Sequence, residues 1–181
     1  MAFIFQIVML VLECVGLIRR PGRFEWKMFA FYTQLSNAAA FAASLLFLLL
    51  RGGLPAVYIR YLATCMLLMT VFVTLCILVP MGAGFRKMML SGNGLYHHTL
   101  CPAVSLISYL FFEPHVKAWL FPALVTLGYG LIMMGLNGLG KTEGPYPFFQ
   151  VKKQGALKSV LWTAALFAAI SGISFLVALA A

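Results

Sequence analysis

The 181 residues are 63% hydrophobic and only 9% charged, with a mean hydropathy of +0.99, whereas soluble chains are about 45–50% apolar and about 25% charged. That excludes a soluble enzyme, a disordered chain and a secreted disulfide scaffold, and indicates a multi-pass membrane protein. The excess of 13 Lys and Arg over 4 Asp and Glu falls between apolar segments, where it orients the chain and meets anionic headgroups; no nucleic-acid partner is expected.

Hydropathy predicts an all-α bundle of six transmembrane helices in one domain spanning residues 1–181, at about 2–18, 27–50, 56–79, 95–112, 117–140 and 157–180. The first segment has no basic residue before it and is followed by Arg19, Arg20 and Arg23, the reverse of a cleavable leader, so it is expected to remain as a helix. The breakers between segments are Pro21-Gly22, Gly52-Gly53 with Pro55, Ser91-Gly92-Asn93-Gly94, and Gly144-Pro145 with Pro147. Arg19, Arg20, Arg23, Lys27, Arg86, Lys87, Lys141, Lys152, Lys153 and Lys158 fall to one side. Arg51, Arg60 and Lys117 fall to the other. The positive-inside rule then puts loops one, three and five in the cytoplasm and both termini on the non-cytoplasmic side. The four cysteines, Cys14, Cys65, Cys76 and Cys101, have no CxxC spacing and read as small buried hydrophobes.

Polar residues inside a membrane are costly and point to function. Glu13 lies about 8 Å from the cytoplasmic end of the first helix and Thr33 about 9 Å into the second, at 1.5 Å per residue. His97 and His98 open the fourth, and Asn137 lies near the cytoplasmic end of the fifth. Topology therefore gathers polar side chains from four helices in one layer. Along the second helix Thr33, Ser36, Asn37, Ala40 and Ser44 form a small, polar stripe. The stripe also suits close helix packing, and the Thr33 hydroxyl could bond back to the Phe29 carbonyl. The two histidines could equally be interfacial anchors; adjacent on a helix, at most one is expected to face the bundle centre. Glu13 could pair structurally with an Asn or with Arg19, and Cys101, four residues after His97, could be a thiol nucleophile or simple packing.

A hydroxyl is a weak nucleophile until a base takes its proton, so Thr with His is the minimal set for acyl transfer, and a carboxylate such as Glu13 can orient the imidazole. A lipid ester suits that layer, with its chain in the bilayer and its carbonyl at the polar level.

Three runs appear in order: FYTQLSN (Phe31–Asn37), HHTLCP (His97–Pro102) and GPYPFFQ (Gly144–Gln150). They resemble the androgen-induced-gene family of intramembrane threonine hydrolases and its prokaryotic six-helix relatives. The resemblance implies a hydrolase of fatty acid esters of hydroxy fatty acids in which Thr33 is the nucleophile and His97 or His98 the base. It also implies a bacterial inner membrane. Asn37 or backbone donors would hold the oxyanion, and Glu13, Ser36, Asn137 and Tyr146 would orient the site. Pro145-Tyr146-Pro147-Phe148 would form a lid, or else an interfacial aromatic anchor together with Phe149. No cofactor or metal is expected. The expected partners are membrane lipids and the fatty-acyl ester, a homo-oligomer being left open. The competing classes are a small transporter or channel, a haem carrier using His98 and His115, a zinc hydrolase on His97, His98 and Glu13, and a non-enzymatic membrane subunit.

Overall fold

The computed structural model describes residues 1–20, 22, 25–143 and 146–181. Pro21, Arg23, Gly144 and Pro145, read above as turn, charge and lid positions, lie outside the described residues. The described chain is helical with no strand among its residues.

Six helices carry the architecture: α1 (Ala2–Ile18), α2 (Tyr32–Leu49), α3 (Leu54–Val73), α4 (Cys101–Phe112), α5 (Leu120–Gly138) and α6 (Ala156–Ala180). A π-helical segment, Thr74–Ala83, prolongs α3, and another, Leu95–Leu100, leads into α4. Among the described residues four helices are long and apolar enough to cross a membrane: α2, α3 with its extension to Ala83, α5 and α6. At 17 residues, α1 is apolar but shorter.

Sequence explains the boundaries. The polar-backbone cost of apolar solvent favours helix throughout the hydrophobic runs, because only helix satisfies every amide within its own segment. A 3-10 turn, Trp26–Ala30, precedes α2, so that helix starts at Tyr32 and not near residue 27. Thr33 therefore sits in the first turn of α2, not deep within it. Between α2 and α3 the Gly52 N–H donates to the Phe47 carbonyl at 2.9 Å, with Arg51 and Gly52 at φ +50° and +72°. That left-handed closure of the helix end reverses the chain within four residues. The first π segment contains Pro80, and the second stands just ahead of Pro102. In a regular helix the Pro102 ring would strike the His98 carbonyl four residues back; the wider turn relieves that clash.

Central in the bundle, α3 packs on α2, α4, α5 and α6, while α1 packs on α2 and α4. Tyr61, Cys65, Met66 and Met69 of α3 meet Tyr109 of α4 and Ile170 of α6 in the main core. Met9 packs with Ala40, Ala43, Ala63, Leu67 and Cys101 in a second one, whose small residues let the backbones approach. Cys65 and Cys101 are buried, as the apolar reading expects, but Cys14 and Cys76 lie on the outer surface.

Arg60 corrects the charge map. It lies within α3, fully buried, and not in a loop. Its guanidinium meets Glu113 through Nη2–Oε1 at 3.0 Å and Nε–Oε2 at 3.1 Å, and donates to Ser105 at 3.2 Å. Gln6 Nε2 and the Ser108 hydroxyl also donate to Glu113 Oε1, at 2.8 and 2.6 Å. Three helix-borne side chains, Arg60, Gln6 and Ser108, thus close around one carboxylate that hydropathy places in a loop.

Candidate functional site

The expected polar layer divides into two cavities on neighbouring flanks of α2. The first, about 50 Å³, is lined by Tyr32, Thr33, Met69, Thr70, Val73, Thr74, Leu78, Thr126, Leu127, Tyr129, Gly130, Tyr146, Phe148, Phe149, Thr163, Leu166, Phe167 and Ile170. A few hydroxyls stand in an otherwise aliphatic and aromatic wall. The second, about 230 Å³, is lined by Glu13, Cys14, Leu17, Met28, Phe29, Gln34, Asn37, Ala38, Phe41 and His97.

Thr33 Oγ1 lies 3.4 Å from Tyr146 Oη, and the Thr33 N–H donates to the same phenol oxygen at 3.3 Å. The hydroxyl of Thr33 thus meets Tyr146 instead of bonding back to Phe29. Tyr146 is held against Phe148, with ring centroids 5.0 Å apart and planes 7° apart, while Pro147–Phe149 form a 3-10 turn. Phe148 and Phe149 are buried cavity wall, not an exposed aromatic anchor. Burial pushes the Tyr146 phenol above its ordinary range, so it keeps its proton and acts as a donor at neutral pH.

Ser36 ties α2 to α3 through a 2.9 Å bond to Thr70 Oγ1 and a 2.9 Å bond to the Thr33 carbonyl. Because α2 and α3 are antiparallel, one turn towards the start of α2 and one turn towards the end of α3 reach the same level. Those positions are Thr33 and Thr74, and both line the first cavity. Behind the wall, Thr74 Oγ1 shares a 2.7 Å hydrogen bond with His98 Nδ1. Among the described residues no hydrogen bond joins Thr33 directly to either histidine; the imidazole-bonded hydroxyl that shares its cavity is that of Thr74.

Both histidines are buried, contrary to the expectation that only one turns inward. His97 points to α1, where its Nε2 is 3.6 Å from Glu13 Oε2. Gly16 makes this possible, since a Cβ there would collide with the His97 ring. Cys101 lies beside the Glu13 carboxylate, fully buried. Asn37 donates one of its two amide protons to the Thr33 carbonyl at 2.7 Å. Asn137 stands apart from both cavities, bonding the Thr142 carbonyl at 3.0 Å and the Lys152 N–H at 3.4 Å. His115 bonds the Tyr109 carbonyl at 2.9 Å. Among the described residues no three His, Cys, Asp or Glu side chains gather as a metal site.

Sequence reasoning missed Thr74. Its signal was faint: a Thr six residues before an in-helix proline, on a segment otherwise read as ordinary apolar helix. No known protein family, curated protein or solved structure matches the chain.

Proposed function

We propose that the protein is an intramembrane lipid-ester hydrolase, with Thr33 as nucleophile and His98 as base acting through Thr74. One observation carries the reading: Thr33 and the His98-bonded Thr74 hydroxyl share the wall of one apolar cavity. A hydroxyl–imidazole bond of 2.7 Å is within the range for proton transfer. In this reading His98 Nδ1 takes the Thr74 proton as Thr74 takes that of Thr33. The Thr33 oxygen then bonds the ester carbonyl carbon. Tyr146 donates to the charged oxygen, and the positive end of the α2 dipole favours it. Collapse of the intermediate breaks the ester C–O bond, and the leaving alkoxide takes the proton back through Thr74. Water attacks the acyl-Thr33 ester by the same relay and releases the acid.

The substrate class follows from the lining. Phe148, Phe149, Phe167, Leu166 and Ile170 suit an acyl chain, and the sparse hydroxyls suit an ester. A fatty acid ester of a hydroxy fatty acid, suggested by the motif resemblance, fits this description.

Six spans are part of the proposal, with both termini on the non-cytoplasmic side of a bacterial inner membrane. Residues 92–112 run helically through Gly92–Gly94, Leu95–Leu100 and Cys101–Phe112, about 30 Å at the α-helical rise. With Arg60 moved into the bundle, the side assigned as external keeps only Arg51 and Lys117 of its three cations, which strengthens the orientation argument.

The test is labelling of the detergent-purified protein with a fluorophosphonate probe. The reading expects labelling of the parent, none in Thr33→Ala, and strong loss in His98→Gln with His97→Gln much less affected. A folded parent that resists labelling, or a Thr33→Ala variant that still labels, overturns it.

A further inference from the structure

The second cavity takes no part in the proposed chemistry, yet it collects polar atoms that nothing satisfies. Glu13, Asn37 and His97 line it and are respectively 5%, 3% and 2% exposed. Among the described residues, Glu13 Oε1, Asn37 Oδ1 and both His97 ring nitrogens have no hydrogen-bond partner. Buried polar atoms are almost always paired, so four at one cavity mark a place where a ligand supplies the partners.

The chemistry of that ligand follows from the atoms. A carboxylate oxygen and an amide carbonyl oxygen only accept when Glu13 is ionised, and a neutral imidazole has one accepting nitrogen. Together they call for several N–H donors. The contrast with Glu113 gives the charge: that carboxylate is neutralised by Arg60, whereas among the described residues Glu13 faces the His97 ring, 3.6 Å away, and the Cys101 thiol, with no Lys or Arg paired to it. A buried carboxylate in an apolar solvent needs a counter-charge. A primary ammonium supplies both the charge and three N–H donors.

The surroundings identify what bears the ammonium. Leu17 and Phe41 of the same lining are exposed on the outer surface of the helices, a surface that faces hydrocarbon in a spanning bundle. Met28, also in the lining, accepts from Arg20 Nη1 at 3.2 Å. An acceptor set for an ammonium inside and an apolar wall towards lipid match a lipid headgroup that ends in a primary amine. We infer that this cavity binds the ammonium headgroup of an aminophospholipid, with Glu13 as its counter-charge.

The experiment is native mass spectrometry of the full chain released from mixed micelles of phosphatidylethanolamine and phosphatidylcholine. The two lipids differ in whether the headgroup nitrogen carries hydrogens. The expected result is at least a tenfold preference for phosphatidylethanolamine in the parent. Glu13→Gln should bring it to parity, while Thr33→Ala keeps it, because the two cavities are separate. Ala38→Phe, which fills the cavity without touching the carboxylate, should also abolish the preference and serves if Glu13→Gln does not fold. Equal retention of both lipids by the parent, or a preference surviving in both cavity variants, overturns the inference. So does full displacement by soluble glycerophosphoethanolamine at matched concentration, since the occupant would then be a soluble amine and not a lipid.

Discussion

Thr74 and His98 are hydrogen-bonded at 2.7 Å although neither lies in regular α-helix. Thr74 opens the π-helical extension of α3, and His98 sits in the π-helical lead-in to α4. A one-residue widening of each helix rotates the side chains relative to a regular turn, and such widenings often accompany functional sites. Pro80 lies within the first of these segments and Pro102 follows the second; a proline ring disfavours the regular turn before it, so both prolines bear on the site through the backbone.

If His98 works through Thr74, removing that hydroxyl costs rate without removing the nucleophile. Thr74→Val is expected to lower the probe-labelling rate of Thr33 about 100-fold, the low end for loss of general-base assistance. Thr74→Ser, which keeps the oxygen, should retain most of the rate. Time courses of fluorophosphonate labelling distinguish the two. Equal rates in Thr74→Val and the parent would remove Thr74 from the mechanism.

Tyr146→Phe deletes one oxygen that both accepts from the Thr33 N–H and stands 3.4 Å from Thr33 Oγ1. The ring keeps its stack on Phe148. Loss of a hydrogen bond of about 1 kcal/mol in the ground state, and more towards a charged oxygen, predicts about a tenfold lower ester turnover. Thermal unfolding should change little, so turnover and melting together isolate the hydroxyl.

The Arg60–Glu113 network is a stability element by this account, and single removal leaves a charge stranded in the bundle. Arg60→Met is expected to destabilise the fold by about 3–5 kcal/mol, and Arg60→Met combined with Glu113→Leu by clearly less, since both charges then go together. Denaturation in detergent measures both. A double variant as damaged as the single one would show that the network contributes more than charge compensation.

Much of the framework was legible in the residues. The run from Ala2 to Ile18 was read to its observed ends because nothing polar interrupts it except Gln6 and Glu13. The depth argument put Glu13 and His97 at one level, and they lie 3.6 Å apart. What escaped was register and long-range pairing. The start of α2 reads near residue 27 from the sequence because Trp26–Ala30 is largely apolar, and hydropathy does not distinguish a 3-10 turn from an α-helix. Arg60 looked like a loop cation near Pro55 and Gly53, since its partner Glu113 is 53 residues away. Thr74 carried only the faint mark of a proline six residues on; its partner across the bundle, His98, gives it meaning.

Gly16 carries a prediction of a different kind. Its missing Cβ leaves the space occupied by the His97 ring, so Gly16→Ala must push that ring aside. Overpacking at such a contact typically costs about 1–3 kcal/mol, to be read as a lower melting temperature. Labelling at Thr33 should survive, because His97 belongs to the other cavity.

The central claim is a covalent acyl intermediate on Thr33, and rapid-quench peptide mass spectrometry tests it most directly. The purified protein would be mixed with a medium-chain p-nitrophenyl ester, quenched within the first turnover and digested. The account predicts an acyl mass increment on residue 33, formed before steady-state release and absent in Thr33→Ala. An acyl group on Thr74 or Cys101 instead, or undiminished ester turnover by Thr33→Ala, would contradict it.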